Sequence, residues 1–369
     1  MSTDVKIIVT LGPATGKEED LQRIKDKGVN FVRVNMSHSS LEDLKYFIGL
    51  AKKVGITFVI DTEGSQIRTG ELSTNSISLK EKERNKNKLN DFFESFWPET
   101  KLAIKAALSA GKEVLKIYNN GFTATYKKDT TPITEADLRS NEIITQILSS
   151  SGIYLLSEEN TENNFSENLS EKTPTKLWIV DPLDGTADFI NKTGEFAVMI
   201  ALVENQKPIL GVIYQPVGDQ LFVAQKNSGA FFKDKENWIK LKVNTQNKLK
   251  ESKAVVSKNH LEEIEKDFLD TVGISSFSQK GSCGLKVAEI CLGNAELYFT
   301  RTHKIKIWDT AAAYCLITEA GGKITNILGE EIRYNLAEIN HQTGVLVSNG
   351  KIHEEISKQW SEFIKRNPN

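Results

Sequence analysis

A chain of 369 residues is longer than one average domain, so we expect two domains. Its formal net charge of −2 gives no sign of binding to nucleic acid or to a membrane surface through bulk charge. The longest apolar run, residues 196–203, is too short to span a bilayer and predicts a buried strand instead.

The first part of the chain alternates between strand and helix patterns. Three strands and two helices follow one another at 6–10, 18–27, 31–35, 41–54 and 57–61. This order predicts parallel strands that are joined by crossover helices.

Residues 5–15, 32–38 and 67–70 read VKIIVTLGPAT, VRVNMSH and IRTG, and they resemble the opening of pyruvate kinase. In that family the positions that match Arg33, Asn35, Ser37 and Asp61 line a site for phosphate and a monovalent cation. The later barrel strands and the phosphoryl-transfer residues are absent, and less than half a barrel cannot close around a substrate. We therefore expect a partial (β/α) barrel segment that stabilises or oligomerises the chain. Retained binding of a phosphorylated metabolite is the alternative.

The boundary between the two domains is expected where the charge pattern changes. Residues 80–88 form a mixed-charge run of the kind found in linkers and solvated helix faces. We assign residues 1–75 to a truncated pyruvate-kinase-like βαβαβ segment, 76–99 to a linker and 100–369 to the second domain.

The second domain mixes helices with antiparallel strands. Alanines at helical spacing predict a first helix over 100–118, and a second helix is predicted over 135–149. Short strands separated by Pro and Gly predict a meander, and a later unit adds more strands and helices. The order predicts a layered α+β domain. The meander strands are 178–180, 197–203, 209–214 and 221–224, and the later elements are 254–257, 261–272, 285–292, 296–300 and a helix opening at 308–309.

Two carboxylates, Asp181 and Asp184, directly follow the predicted buried strand at 178–180. They would repel each other unless a cation neutralises them, and carboxylate oxygens are ligands that Mg²⁺ accepts. Gly185 and Thr186 come next, and their backbone N–H groups suit an anion at a helix start. The acids of Asp137, Glu158–Glu159 and Asp309 taken singly have ordinary explanations, as first-turn, loop-surface and N-cap residues.

Four separated motifs read PITEAD at 132–137, SEE at 157–159, DPLDGT at 181–186 and WDTAA at 308–312. Together they resemble the lithium-sensitive, magnesium-dependent phosphatase superfamily, which includes inositol monophosphatases, fructose bisphosphatases and 3′(2′),5′-bisphosphate nucleotidases. The resemblance implies a layered αβαβα sandwich of the inositol monophosphatase/fructose bisphosphatase type. Three further segments, 189–196, 208–216 and 281–286, resemble the nucleotidase branch that acts on 3′-phosphoadenosine 5′-phosphate, whereas 301–306 lacks the Pro and Gly usual there.

The same resemblance implies a role for each site residue. Two or three Mg²⁺ ions would be held by Glu158, Asp181, Asp184, Asp309 and the carbonyl oxygen of Leu183. Asp137 and Thr186 would orient the attacking water, and Glu159 is a further candidate for that water or for a third ion. The N–H groups of Gly185 and Thr186 would bind phosphate, and Ser282 and Lys286 would contact the substrate.

The function predicted is removal of the 3′-phosphate of 3′-phosphoadenosine 5′-phosphate, giving AMP and phosphate. An inositol or sugar monophosphatase and a non-catalytic metabolite-binding or scaffold fusion are the alternatives. Three cysteines without a CxxC pair, and a start without a secretory pattern, favour the cytoplasm. The expected partner is a small phosphorylated molecule, with no nucleic acid and no membrane, and a homo-oligomer is left open.

Overall fold

The computed structural model describes residues 8–11, 15–35, 41–61, 95–127, 131–160, 174–234, 237–302 and 304–367. The chain divides into two compact units, Met1–Asn85 and Lys86–Asn369. Most of the predicted linker, residues 76–94, lies outside the described residues, and a helix begins at Pro98 within its last part. Within the described ranges, no helix is long and apolar enough to cross a membrane.

The described part of the first unit is a parallel sheet of three strands with two helices, as predicted. Its elements are β1 (Ile8–Thr10), α1 (Glu18–Asp26), β2 (Phe31–Asn35), α2 (Leu41–Val54) and β3 (Thr57–Asp61). Strand β2 lies between β1 and β3 and is parallel to both. Val32 and Val34 alternate onto the helix-covered face and are fully buried.

Two of the four residues that the pyruvate-kinase resemblance selects, Asn35 and Asp61, lie at the carboxyl ends of their strands. Arg33 donates from Nε to Thr10 Oγ1 at 3.1 Å. Asn35 and Asp61 are paired in register as the last residues of β2 and β3. Ser37 lies outside the described residues.

The larger sheet of the second unit has seven strands among the described residues, in the order β12-β11-β10-β9-β8-β7-β6. From β7 to β12 the strands are antiparallel to their neighbours, so the predicted meander is confirmed. Strand β6 is parallel to β7, which brings the carboxyl ends of both strands to the same edge. The strands are β6 (Tyr154–Ser157), β7 (Lys176–Asp184), β8 (Ala197–Glu204), β9 (Lys207–Gln215), β10 (Gln220–Gln225), β11 (Gly229–Asp234) and β12 (Asn237–Lys240).

Helices cover both faces of this sheet. Two long helices, α3 (Pro98–Asn120) and α4 (Glu135–Leu148), bury their apolar sides against one face. The hairpin β4 (Ala124–Tyr126) and β5 (Pro132–Thr134) joins them. The short helix α5 (Thr186–Ile190) directly follows β7.

A second sheet and two further helix layers complete the sandwich. Helices α7 (Cys283–Cys291) and α8 (Ile307–Glu319) lie between the two sheets, and α6 (Glu263–Val272) and α9 (His353–Arg366) cover the outer face of the second sheet. The layers therefore alternate αβαβα, which confirms the predicted fold class. The second sheet has the order β14-β13-β15-β17-β16, with β13 (Lys253–Ser257), β14 (Ser276–Lys280), β15 (Leu297–Thr300), β16 (Lys323–Asn326) and β17 (Val345–Ser348).

Glycine permits the closest contact between sheet and helix. A Cβ on Gly211 of β9 would overlap the carbonyl oxygen of Ala312 in α8. Because a larger residue cannot fit there, β9 and α8 pack backbone to backbone. This contact fixes the depth at which the first turn of α8, and with it Asp309, lies against the sheet.

Candidate active site

Three carboxylates meet where β7 ends and α8 begins. Oxygen atoms of Asp181, Asp184 and Asp309 all lie within 4.8 Å of one another. Asp181 and Asp184 are buried, and Asp309 is half-buried. The sequence places Asp309 more than 120 residues after the other two, so only the fold brings the three together.

An irregularity at the end of β7 directs both of its aspartates into this cluster. The register with β8 shifts between Asp181 and Asp184, where the strand would otherwise place them on opposite faces. The N–H of Leu183 donates to Asp181 Oδ1 at 2.9 Å and holds the irregular turn. The Leu183 carbonyl oxygen, predicted to bind metal, lies 3.2 Å from Thr186 Oγ1.

Burial raises the pKa of all three aspartates, and repulsion from neighbouring carboxylates adds to the rise at Asp181 and Asp309. Burial raises the pKa of Asp181 well above its usual value, and the charges of Glu158, Asp184 and Asp309 add to the effect. Burial also raises the pKa of Asp309 to about 8, with Asp184 and Glu158 contributing. Burial raises the pKa of Asp184, against the opposing effects of Lys286 and Ser282. Negative charge at this position is therefore under-compensated by the protein.

Asp309 lies in the first turn of α8 but is not its N-cap. The N-cap is Lys306, whose backbone N–H donates to Asp309 Oδ2 at 2.6 Å. Asp309 is thus the third helical residue of a capping box, and its other oxygen remains available to the cluster.

Asp137 and Thr186 form the neighbouring part of the site. Asp137 is buried at the third position of α4, and its Oδ2 accepts hydrogen bonds from the N–H and hydroxyl of Thr134, both at 2.7 Å. Its Oδ1 accepts a hydrogen bond from Thr186 Oγ1 at 2.9 Å. Burial raises the pKa of Asp137, although these hydrogen bonds oppose the rise.

Glu158 and Glu159 lie at the end of β6, beside the cluster. Lys127 Nζ lies 3.0 Å from Glu158 Oε1 and 2.7 Å from Glu159 Oε1. Burial and the charge of Glu158 raise the pKa of Glu159 to about 7, and Lys127 opposes this rise. Burial lowers the pKa of Lys127, but the two carboxylates outweigh it and the net shift is upward. Glu158 therefore faces an ammonium group here, close enough to the aspartates to raise the pKa values of Asp181 and Asp309.

Gly185 makes the turn between β7 and α5. Its φ of +95° is left-handed, and a Cβ there would lie 3.0 Å from the Glu195 carbonyl oxygen. Glycine is required for both reasons. The N–H groups of Gly185 and Thr186 lie at the start of α5, where helices leave such donors without an intrahelical acceptor.

The two predicted substrate contacts are buried rather than open. Ser282 is the N-cap of α7; its hydroxyl donates to Asp184 Oδ2 and accepts from Leu285 N at 3.1 Å. Gly284 N donates to the same Asp184 oxygen at 2.8 Å. Lys286 is only 3% exposed and donates to the Gly281 carbonyl at 2.6 Å. Substrate contact by Ser282 and Lys286 remains a prediction. In the structure, Ser282 donates a hydrogen bond to Asp184, and the charge of Lys286 favours the ionised form of Asp184.

The predicted residues therefore form one neighbourhood with an inner and an outer part. The inner group is Asp181, Asp184 and Asp309; Glu158 and Glu159 lie beside it, bound to Lys127. Sequence reasoning missed Lys127, because a lysine between Tyr126 and Lys128 has no distinguishing pattern. The only available signal was its place shortly before the PITEAD motif.

The donor set suits a hard divalent cation. Every side-chain donor in the cluster is a carboxylate oxygen, and no histidine or cysteine belongs to it among the described residues. The raised pKa values indicate that a cation would remove a real electrostatic cost. The chain's own residues thus fit Mg²⁺.

Comparisons with known proteins identify the families that the chain matches. The model of the inositol monophosphatase family matches residues 98–365, which include every predicted site residue. The model of the pyruvate kinase barrel domain matches residues 2–107. Both resemblances seen in the sequence are confirmed.

Several bacterial nucleotidases are similar to this chain. The 3′(2′),5′-bisphosphate nucleotidase CysQ of Buchnera aphidicola is 37% identical over 238 residues, covering 63% of this chain and 85% of that protein. CysQ of Haemophilus influenzae is 33% identical, covering 63% and 86%. CysQ of Escherichia coli K12 is 30% identical, covering 66% and 96%.

Solved structures share the fold. CysQ from Bacteroides thetaiotaomicron, a bacterial member of the inositol monophosphatase family, superposes with a TM-score of 0.59 at 29% identity, covering 69% of this chain and 98% of that one. An inositol monophosphatase from Thermotoga maritima gives a TM-score of 0.61 at 24% identity, covering 73% and 99%, and that likeness shows the fold alone.

Proposed function

Since the chain belongs to the inositol monophosphatase family, we propose that it removes the 3′-phosphate of 3′-phosphoadenosine 5′-phosphate, giving AMP and phosphate. The observation that carries a phosphatase of this kind is the Thr186–Asp137 hydrogen bond of 2.9 Å beside three clustered aspartates. A hydroxyl with a fixed direction next to a cation site is what a water-using phosphoryl transfer needs.

In this proposal Mg²⁺ is held by Glu158, Asp181, Asp184, Asp309 and the Leu183 carbonyl oxygen. When bound, Mg²⁺ neutralises charge on the reacting phosphate and makes a water molecule more acidic. Two or three ions are expected, as in the sequence-based prediction.

The remaining work falls to residues of the chain. Thr186 donates its only hydroxyl proton to Asp137, so its lone pairs can accept a hydrogen bond from the attacking water. Asp137 is held in place by both donors of Thr134, and so it fixes the direction of that hydroxyl. Glu159 is the further candidate for orienting this water, and the N–H groups of Gly185 and Thr186 would bind phosphate oxygens.

The nucleotide substrate is supported by the relatives. The named nucleotidases match this chain over 85% to 96% of their own length. The sequence segments 189–196, 208–216 and 281–286 resemble the same branch, so the relatives and the motifs agree on substrate class.

A substrate panel tests the proposal. Phosphate release would be measured with Mg²⁺ from 3′-phosphoadenosine 5′-phosphate, its 2′-phosphate isomer, AMP, myo-inositol 1-phosphate and fructose bisphosphate, each with and without Li⁺. We expect kcat/KM for the bisphosphorylated nucleotides to exceed the others by at least tenfold, with inhibition by Li⁺. Preference for inositol phosphate would replace the proposed substrate, and no release from any ester would favour the non-catalytic fusion.

The cytoplasmic location and any homo-oligomer remain predictions. Cell fractionation tests the first, and sedimentation of the purified full chain tests the second. Neither outcome changes the proposed reaction.

A further inference from the structure

A buried carboxylate outside the proposed chemistry lies two residues after Thr186. Asp188, in α5, is 1% exposed. Its Oδ2 accepts a hydrogen bond from Asn259 Nδ2 at 2.7 Å, and its Oδ1 accepts one from Thr193 Oγ1 at 2.8 Å. Asn259 belongs to the loop after β13, in the second sheet. The hydrogen bond between Asp188 and Asn259 therefore joins α5, which follows β7 of the larger sheet, to the second sheet.

Gly281 makes this contact close. A Cβ on Gly281 would lie 2.8 Å from Asp188 Oδ1 and would overlap its Oδ2. The backbone after β14 therefore lies directly against the Asp188 carboxylate. Any side chain at position 281 would push the two segments apart.

Glu195 contacts the same backbone segment, around Gly281, and also the loop after β13. Its Oε2 accepts a hydrogen bond from Gly281 N at 3.2 Å and lies 3.4 Å from Lys258 Nζ. Its carbonyl oxygen accepts from Ser282 N at 3.2 Å. Residues of segment 188–195 thus contact two loops of the second sheet layer, 258–260 and 280–282.

The metal side has a separate attachment. Ser282 Oγ and Gly284 N both donate to Asp184 Oδ2. These bonds do not involve Asp188, so loss of Asp188 leaves Asp184 with its own donors.

Helix stability does not explain an acid at this position. Helix α5 has only five residues, and an exposed first-turn acid adds little to the stability of so short a helix through the helix dipole. A carboxylate at 1% exposure loses its hydration, which is more costly than the helix dipole is favourable unless the group is well hydrogen-bonded. The hydrogen bonds from Asn259 and Thr193 therefore account for a buried carboxylate at this position.

We propose that Asp188 is a positioning residue that fixes where loops 258–260 and 280–282 lie relative to the turn at Gly185–Thr186. Ser282, a predicted substrate contact, belongs to the second of these loops, so in the proposed reaction the part of the nucleotide beyond the reacting phosphate would lie against them. Asp188 therefore determines how well a nucleotide, rather than a bare phosphate, is bound. This inference rests on the proposed function.

The test compares Asp188→Ala, Gly281→Ala and the double variant with wild type. The readouts are kcat and KM for 3′-phosphoadenosine 5′-phosphate, the competitive inhibition constant of inorganic phosphate, and calorimetric binding of Mg²⁺. Asp188→Ala should raise KM by at least tenfold, while phosphate inhibition and Mg²⁺ affinity change by less than threefold. Asp267→Asn, an exposed acid on α6, is the matched control and should leave KM unchanged.

The double variant separates positioning from general damage. Gly281→Ala alone should raise KM by a similar factor, because its Cβ displaces the carboxylate. In the Asp188→Ala background the clash is gone, so Gly281→Ala should add less than twofold. Independent, multiplying effects of the two changes would overturn the proposal.

Asn259→Ala decides the matter if Asp188→Ala does not fold. It removes the hydrogen-bond donor to Asp188 from an exposed loop residue and should raise KM about threefold or more without changing phosphate inhibition. An unchanged KM, or an equal loss of phosphate and Mg²⁺ binding, would overturn the proposal. If wild type does not turn over the nucleotide, the proposed function has failed instead, and the same comparison is made with the ester that the panel identifies.

Discussion

Replacing Thr186 by Val tests the role of the Thr186–Asp137 pair. Valine has nearly the shape of threonine, so the change removes the hydroxyl and little else. Asp137 loses one of the three side-chain and backbone donors described for its carboxylate, and Thr134 still supplies the other two. The fold should therefore survive.

The expected magnitudes differ for stability and for catalysis. A hydrogen bond to a charged group contributes about 1.5–3 kcal/mol, so the free energy of unfolding should fall by no more than about that amount. Loss of a positioned group in proton transfer costs about 10²–10⁴ in rate, so kcat should fall at least about 100-fold. Binding of Mg²⁺, measured by calorimetry, should change by less than about threefold, because neither residue belongs to the aspartate cluster.

Thr100→Val is the matched control. Thr100 is fully buried, whereas Thr186 is half-buried, and Thr100 likewise donates its hydroxyl proton, to Gln225 Oε1 at 2.7 Å near the start of α3. This variant should lose a comparable stability, measured by thermal unfolding, but keep the wild-type kcat. If Thr186→Val keeps kcat within threefold of wild type, or if Thr100→Val loses as much activity, the assigned role of Thr186 is wrong.

The other predictions concern stability and domain organisation. Burial lowers the pKa of His353 from 6.5 to about 4, so between these two pH values the unfolded chain binds the proton and the folded chain does not. The free energy of unfolding should therefore fall by about 3 kcal/mol as the pH falls from 6.5 to 4. His353→Gln should flatten this part of the pH profile measured by urea unfolding, and an unchanged profile would contradict the assigned shift. Gly111→Ala should lower the free energy of unfolding by about 1 kcal/mol, because the new Cβ overlaps the Tyr214 ring and the overpacking cost of about 1–3 kcal/mol exceeds the gain in helix propensity of about 1 kcal/mol. Gly49→Ala, whose Cβ would meet no atom within 4 Å, should raise the free energy of unfolding instead. If denaturant unfolding shows that both variants change the stability in the same direction, the packing argument is wrong. Deleting residues 1–85 should leave kcat for phosphate release within twofold, because the family match begins at residue 98, and a large loss would show that the first unit takes part in catalysis.

The hydrogen bonds of His353 explain the direction of its shift. Ser348 Oγ lies 2.9 Å from Nδ1 and also accepts from Gly350 N, and Thr325 Oγ1 lies 2.8 Å from Nε2 and donates to the Asn326 carbonyl. The neutral ring, with its proton on Nε2, satisfies both hydroxyls. A second ring proton would face the hydroxyl proton of Ser348, so the charged form gains no acceptor to offset its burial.

Local patterns in the sequence were sufficient to predict most elements. The alanine face of α3 follows helical spacing, and the positions predicted to be apolar, from Ala103 to Ile117, are buried. The paired strands of the meander follow turn residues such as Pro216 and Gly229. Short-range periodicity and turn chemistry determine these features, so no knowledge of distant contacts was needed.

The acidic residues of the site were predictable for a different reason. Asp181 and Asp184 are anomalous by themselves, since two acids after an apolar strand require compensation. Asp137 and Asp309 are not anomalous, because both occupy ordinary capping-box positions. Only the order of the four motifs identified them.

Contacts between distant segments could not be predicted. Lys286 is buried because α7 lies between the two sheets, and the helical pattern of 285–292 does not show this. Lys127 and Asp188 acquire their significance only from partners that lie far along the chain or in another layer. Such roles depend on how the layers stack, and single-sequence patterns carry no information about stacking.

The most direct test of the account combines calorimetric Mg²⁺ titration and phosphate release for wild type and Asp184→Asn. Asparagine keeps the shape of the side chain and removes one negative charge from the cluster. The account predicts that the variant remains folded, binds Mg²⁺ at least 100-fold more weakly and loses phosphate release from 3′-phosphoadenosine 5′-phosphate. A variant that binds Mg²⁺ and releases phosphate as the wild type does would contradict the assignment of the aspartate cluster as the catalytic metal site.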